Sequence, residues 1–172
     1  MDNATLVYCV LLAFPAAMTF AGFTDMVTMT IPNKLTMFLL AAFLVAAVAV
    51  RMPLEQFAVH MAVGGVMLIV MMTLFAFNLL GGGDAKLIVA ASLWIGFEHL
   101  TMFMFYVALL GGVLSLGILF YRSIMPPTWL ARQDWALRLH GQGSGVPYGL
   151  AIGGAGLLMF PSTAWFTYAA SI

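Results

Sequence analysis

Two aspartates carry the chemistry this sequence offers. Asp25 stands in "GFTDMVTMTIPNKL", residues 22–35, and Asp84 in "LLGGGDAKLI", residues 79–88. Each abuts a long apolar run. An ionisable group inside or at the edge of a bilayer costs roughly 2.5–3.5 kcal/mol on insertion scales, so a carboxylate kept there calls for a reason. Two carboxylates that converge in a low-dielectric site cannot both ionise. One keeps a proton while the other stays charged, which supplies an acid and a base together. Such a pair can activate a water and protonate a leaving amine, the two needs of peptide hydrolysis. The plainer alternative makes Asp25 a simple charge at a span end and Asp84 a helix cap with Lys86 as its partner. The run Gly81-Gly82-Gly83 favours the chemical reading. Each glycine adds entropy to the unfolded chain, and three together suit a place where a second backbone, such as an extended substrate strand, comes close.

The elements that must position these residues follow from composition. Of 172 residues, 64% are hydrophobic and only 7% charged, and the mean hydropathy is +1.09. This is the profile of an all-α integral membrane protein. The formal net charge is zero, which argues against a nucleic-acid partner. The single cysteine, Cys9, permits no internal disulfide and no thiolate metal cluster, so neither a metal nor any other cofactor is expected. The N-terminus opens Met1-Asp2-Asn3, acidic where a signal peptide is basic, and is read as the start of a retained span.

A helix rises 1.5 Å per residue, so about 20 apolar residues cross ~30 Å of hydrocarbon. The pattern predicts a bundle of about six transmembrane helices in one domain, residues 1–172, with spans near 4–24, 33–51, 56–80, 83–97, 99–121 and 146–170. The fourth is short and must begin near the glycines, which draws Asp84 toward the membrane. Lys34, Lys86, Arg122, Arg132 and Arg138 then fall on one side and Arg51 alone on the other. The positive-inside rule makes the first side cytoplasmic and puts both ends outside. Asp2, Glu55 and Glu98 lie outside, whereas Asp25 and Asp84 share the cytoplasmic side. The long loop 122–145, also cytoplasmic, carries Pro126-Pro127, Trp129, Trp135 and the run GQGSG. It reads either as an amphipathic helix in the headgroup region or as a connector anchored by tryptophans.

G-x-G-D at the start of one span, with an earlier aspartate at the end of another, resembles the intramembrane aspartic proteases. "GGGDAKL" together with "D…IPNKL" is similar to the prepilin peptidases, and "VPYGLAIGGAG", residues 146–156, resembles their last-span segment. The resemblance runs over essentially the whole chain, with three motifs in the expected order. It implies that Asp25 and Asp84 are the catalytic pair and that Gly81 and Gly83 shape the loop under Asp84. Pro32 and Asn33 would fix the turn into the second span, and Pro147, Tyr148 and Gly149 would be structural. The family removes the short basic leader of type IV prepilins at the cytoplasmic face, just before the pilin's apolar helix. The expected partners are therefore a prepilin substrate and the lipid bilayer, in the inner (cytoplasmic) membrane. Larger members add a cysteine-rich insert and methylate the new N-terminus. No such insert interrupts this chain, which resembles the short, peptidase-only form serving Flp/Tad-type pili, and methyl transfer is not expected.

The remaining polar residues have competing readings. Asn78, one turn before the glycines, either orients the site or makes an ordinary interhelical bond. Lys86 either acts on Asp84 or anchors the cytoplasmic interface. His60, toward the outer side, is read as an interhelical hydrogen-bonder. The fourteen methionines read as adaptable packing, and Gly64-Gly65, Gly111-Gly112 and Gly153-Gly154 as close helix crossings. Three other functions fit the two aspartates less well: a different intramembrane aspartic protease, a small proton- or cation-coupled transporter, and a structural subunit of a secretion machine. A transporter would lead one to expect an inverted repeat or deeper charges.

Overall fold

The computed structural model describes residues 7, 9–125, 132–141, 143 and 145–170. Eight α-helices occur among them: α1 (Ala13–Thr28), α2 (Asn33–Ala49), α3 (Leu54–Ala76), α4 (Gly82–Ile95), α5 (Phe97–Ser123), α6 (Asp134–His140), α7 (Tyr148–Met159) and α8 (Trp165–Ala170). The all-helical expectation therefore holds. The segments Cys9–Thr28, Leu54–Ala76 and Phe97–Ser123 are long and apolar enough to cross a membrane, and α2 and α7 add shorter apolar helices. Large apolar side chains point outward from the bundle, with Val48 79%, Ile69 68% and Leu116 68% exposed. Surfaces of that kind belong in lipid.

The helix α4 explains itself by burial. At 14 residues it reaches only ~21 Å. Nine of those residues, from Ala85 to Ile95, are buried, since α2, α3 and α7 all pack against it. A helix largely enclosed by protein need not match the hydrocarbon thickness. At the end remote from the aspartates, aromatic rings fill the core around Trp94. Its indole Nε1–H donates to Leu39 O at 3.0 Å, and the indole of Trp165 donates to Trp94 O at 2.7 Å. His60 bonds Leu93 O across the α3–α4 seam, the interhelical role expected of it.

Three boundaries differ from the sequence reading. The first span continues beyond residue 24, so Asp25 lies in the last turn of α1, which ends at Met29 in a left-handed conformation (φ 56°). The last span is not one helix over 146–170. It stops at Met159, passes through a 3-10 turn at Phe160–Ser162, and restarts at Trp165. Pro161 is the reason: it offers no N–H to continue the α-helical ladder and constrains the residue before it. The 122–145 loop contains the short helix α6, whereas Pro126-Pro127 and Trp129 lie outside the described residues.

The glycine pairs divide by helix geometry. Neighbours in sequence are 100° apart around a helix, so one member of a pair faces the partner helix and the other does not. A Cβ on Gly64 would strike Leu93 at 2.6 Å, one on Gly111 would strike the Tyr148 ring at 2.8 Å, and one on Gly153 would strike Met18 O at 2.6 Å. Beside Gly65 and Gly112 there is open space to 4 Å, and Gly154 meets only Leu110, at 3.3 Å. Gly153 and Gly22 bring α1 and α7 into backbone contact, and that approach sets up the site.

Candidate active site

Asp25 is 5% exposed, facing the N-terminus of α7. The first turn of any helix leaves backbone N–H groups without intrahelical acceptors. Here one of them, Gly149 N–H, donates to Asp25 Oδ2 at 2.7 Å across 124 residues of sequence. A carboxylate at that position also meets the positive end of the α7 dipole. The contact demands glycine, because a Cβ at residue 149 would stand 2.8 Å from Asp25 Cβ and 2.9 Å from Oδ2. Gly149, expected to be structural, is thus the direct partner of Asp25. The signal was present in Pro147-Tyr148-Gly149, a proline-initiated helix whose early N–H groups are free by construction.

Pro147 is the N-cap residue of α7, and Tyr148 locks that turn sideways. The tyrosine hydroxyl lies 3.0 Å from Ser115 Oγ on α5, and its ring covers Gly111. Together these contacts tie the first turn of α7, which carries the Gly149 N–H, to α5.

Asp84 occupies the third residue of α4, with Gly81 as the N-cap at φ −67°, ψ 141°. Its carboxyl lies back over Gly81, where a Cβ would approach Oδ2 to 2.9 Å, and within the electrostatic field of Asp25. Gly83 faces Ile31 of the "IPNKL" turn, with a would-be Cβ 3.4 Å from Ile31 Cβ. The glycines therefore make room for two things at once, the Asp84 carboxyl and the neighbouring motif. Pro32 is the N-cap of α2, in keeping with a turn-fixing role.

Lys86 has a partner that neither reading named. Its ammonium donates to Asn33 Oδ1 at 3.0 Å and ties the first turn of α4 to the first turn of α2. Asn33 is thereby a cross-link between the two aspartate motifs as well as part of a turn. Asn78 also differs from expectation. It is exposed and adopts φ 55°, ending α3 through its backbone, a conformation that asparagine tolerates better than most residues.

The loop helix α6 docks beside the same end of the bundle. Arg138 Nη1 donates to Val27 O, two residues past Asp25, at 2.9 Å. Arg122, at the end of α5, donates to Leu139 O at 2.8 Å and to Gly145 O at 3.2 Å. Ala136 and Leu139 are buried beneath it, so α6 rests on protein through its apolar face. Among the described residues, Asp25 and Asp84 are not joined by a third His, Cys, Asp or Glu able to complete a metal site.

Two carboxylates on different helices, in a site built by glycines, are what acid–base hydrolysis of an amide requires. A family model decides the kinship: that of the type IV leader peptidase family matches residues 12–116, more than half of the chain. The chain belongs to the type IV leader peptidase family. No curated protein and no solved structure is matched. The stretch shared with these leader peptidases contains Asp25, the "IPNKL" turn, Gly81–Gly83 and Asp84; α7 with Gly149 lies beyond it.

Proposed function

We propose that this member of the leader peptidase family is an aspartic endopeptidase that removes the basic leader from type IV, Flp-like prepilins at the cytoplasmic face of the inner membrane. Residues 1–172 act as a single transmembrane peptidase domain of six spans. The orientation rests on the five-to-one distribution of basic residues across the loops. Asp25 and Asp84 are the catalytic pair, and the carrying observation is the Gly149 N–H on the buried Asp25 carboxylate, with Asp84 within its field. The ionised member of the pair takes a proton from a water as it attacks the scissile carbonyl, and the protonated member delivers one to the departing amine. After the step the two have exchanged roles, and a shared proton makes them a single titrating unit. Peptidase activity without N-methyl transfer is the expected repertoire, because the chain lacks the cysteine-rich insert of the bifunctional forms.

The test is to incubate purified protein in detergent with Flp-type prepilins and map the products by mass spectrometry. One cut between the basic leader and the apolar helix, with an unmethylated new N-terminus, is the expected result. Cleavage inside the apolar helix would instead mark a different intramembrane protease. Proton flux in vesicles without cleavage would mark a transporter.

A further inference from the structure

We propose that the groove between α2, α3 and α4 binds one anionic phospholipid, with its phosphate at Lys86 and an acyl chain running along Gly65. The groove has a volume of about 580 Å³. It lies on the face of α4 that carries Lys86 and Leu93, turned away from Asp84, so it is separate from the catalytic pair. Its floor is Ala90 and Leu93, both buried, and its exposed rim is Met37 from α2 and Met61 and Leu68 from α3. The rim opens sideways, where lipid surrounds the bundle.

The lining changes character at one end. Asn33, Thr36 and Lys86 are its polar residues, and all three lie at the end nearest the aspartates. A lysine ammonium has three donors, and the bond to Asn33 uses one, so two remain for phosphate oxygens. Lys34 is exposed one residue beyond Asn33 and adds a second cation at the same level. A basic pocket between helices above an apolar slot is a lipid-headgroup arrangement.

Charge favours a lipid over the substrate's helix and its leader. The polar end of the groove is cationic, which suits a phosphate and disfavours the basic leader of a prepilin. A flexible chain can follow the groove's ~10 Å course along α4 from Lys86 to Leu93. Gly65 supplies the space, since a Cβ there would meet nothing within 4 Å, while its neighbour Gly64 is consumed by packing on Leu93. The occupant would brace both aspartate motifs, because the Lys86–Asn33 bond at its head joins the first turns of α4 and α2.

The inference goes beyond the peptidase reading, and its test needs no cleavage. Native mass spectrometry of the detergent-solubilised protein, with dioleoyl phosphatidylglycerol and dioleoyl phosphatidylcholine added in turn, reads retained lipid. Wild type should retain one phosphatidylglycerol with at least about a tenfold preference. Lys86→Ala should lose the preference, and Gly65→Phe should lose retention of either lipid while keeping its helical spectrum. Gly65→Leu serves in its place where the phenylalanine fails to insert. Undiminished phosphatidylglycerol retention in both Gly65 variants overturns the site, and equal retention of the two lipids by wild type overturns the headgroup assignment. Displacement by a prepilin apolar-helix peptide, or by inorganic phosphate alone, would make the groove a substrate exosite or a bare anion site and end the proposal.

Discussion

Asp25 and Asp84 differ in what surrounds them, and that difference shapes the expectations for single residues. Asp25→Asn and Asp84→Asn should each lower prepilin cleavage by at least about a hundredfold with the protein still inserted, because asparagine keeps the size but cannot trade a proton. The double variant should be hardly worse than either single one, since the pair acts as a unit. Near-wild-type cleavage by either single variant would return that aspartate to a purely structural place. Glu98→Gln, at the opposite end of the bundle, should cleave normally. Gly149→Ala should behave like a site variant. Its Cβ would collide with Asp25 at 2.8 Å, and a shift of ~1 Å in a reacting group can cost about a hundredfold. A Gly149→Ala protein with unchanged kcat would show that the N–H contact on Asp25 is incidental to turnover. Cleavage should also survive EDTA, because two carboxylates and a water suffice; a loss restored by zinc would refute the two-carboxylate mechanism.

At the level of helices, the glycine positions separate packing from freedom. Gly153→Ala would push a methyl group to 2.6 Å from the backbone oxygen of Met18, which cannot swing aside as a side chain can. A loss of about 1–3 kcal/mol is expected, seen as a lowered midpoint in a detergent thermal melt. Gly112→Ala meets nothing within 4 Å and should be neutral or stabilising by up to ~1 kcal/mol, because alanine is the better helix former. Equal melting points for the two would contradict the α1–α7 backbone contact. The helix α6 belongs to the same scale. Its Arg138 bond to Val27 O reaches the turn of α1 that holds Asp25, so Arg138→Ala should reduce kcat more than it changes KM, and Arg138→Lys should recover part of the loss.

For the whole molecule, sidedness is the expectation that everything else depends on. With the exposed Cys9 replaced by serine, Gly143→Cys should react only with reagents that reach the cytoplasmic side. Labelling from outside alone would invert the bundle and remove the aspartates from the face where prepilin leaders are found. Membrane class, the all-helical fold and the sharing of one end of the bundle by Asp25 and Asp84 were legible in the sequence. Among the described residues, however, three helices are long and apolar enough to cross a membrane, against the six spans expected. The legible features depend on run length, charge and odd–even counting, which are local or additive quantities. The last span was misjudged for a similar reason. Its hydropathy is continuous across Pro161, and hydropathy does not register a missing N–H.

What the sequence alone determined is therefore the membrane bundle, its motifs and the identity of the two aspartates worth testing. The tertiary structure decided the partnerships: Gly149 with Asp25, Lys86 with Asn33 and Arg138 with Val27 are separated by 124, 53 and 111 residues. It also decided which glycine of each pair is packed, and that α4, the shortest apparent span, is the enclosed centre. The reason lies in the solvent. In water a helix reveals its inner face by apolar periodicity, but here the outside is as apolar as the inside, so periodicity carries no sign of which face meets protein. That information exists once the helices are packed, in the backbone groups they leave free and the carboxylates brought to meet them.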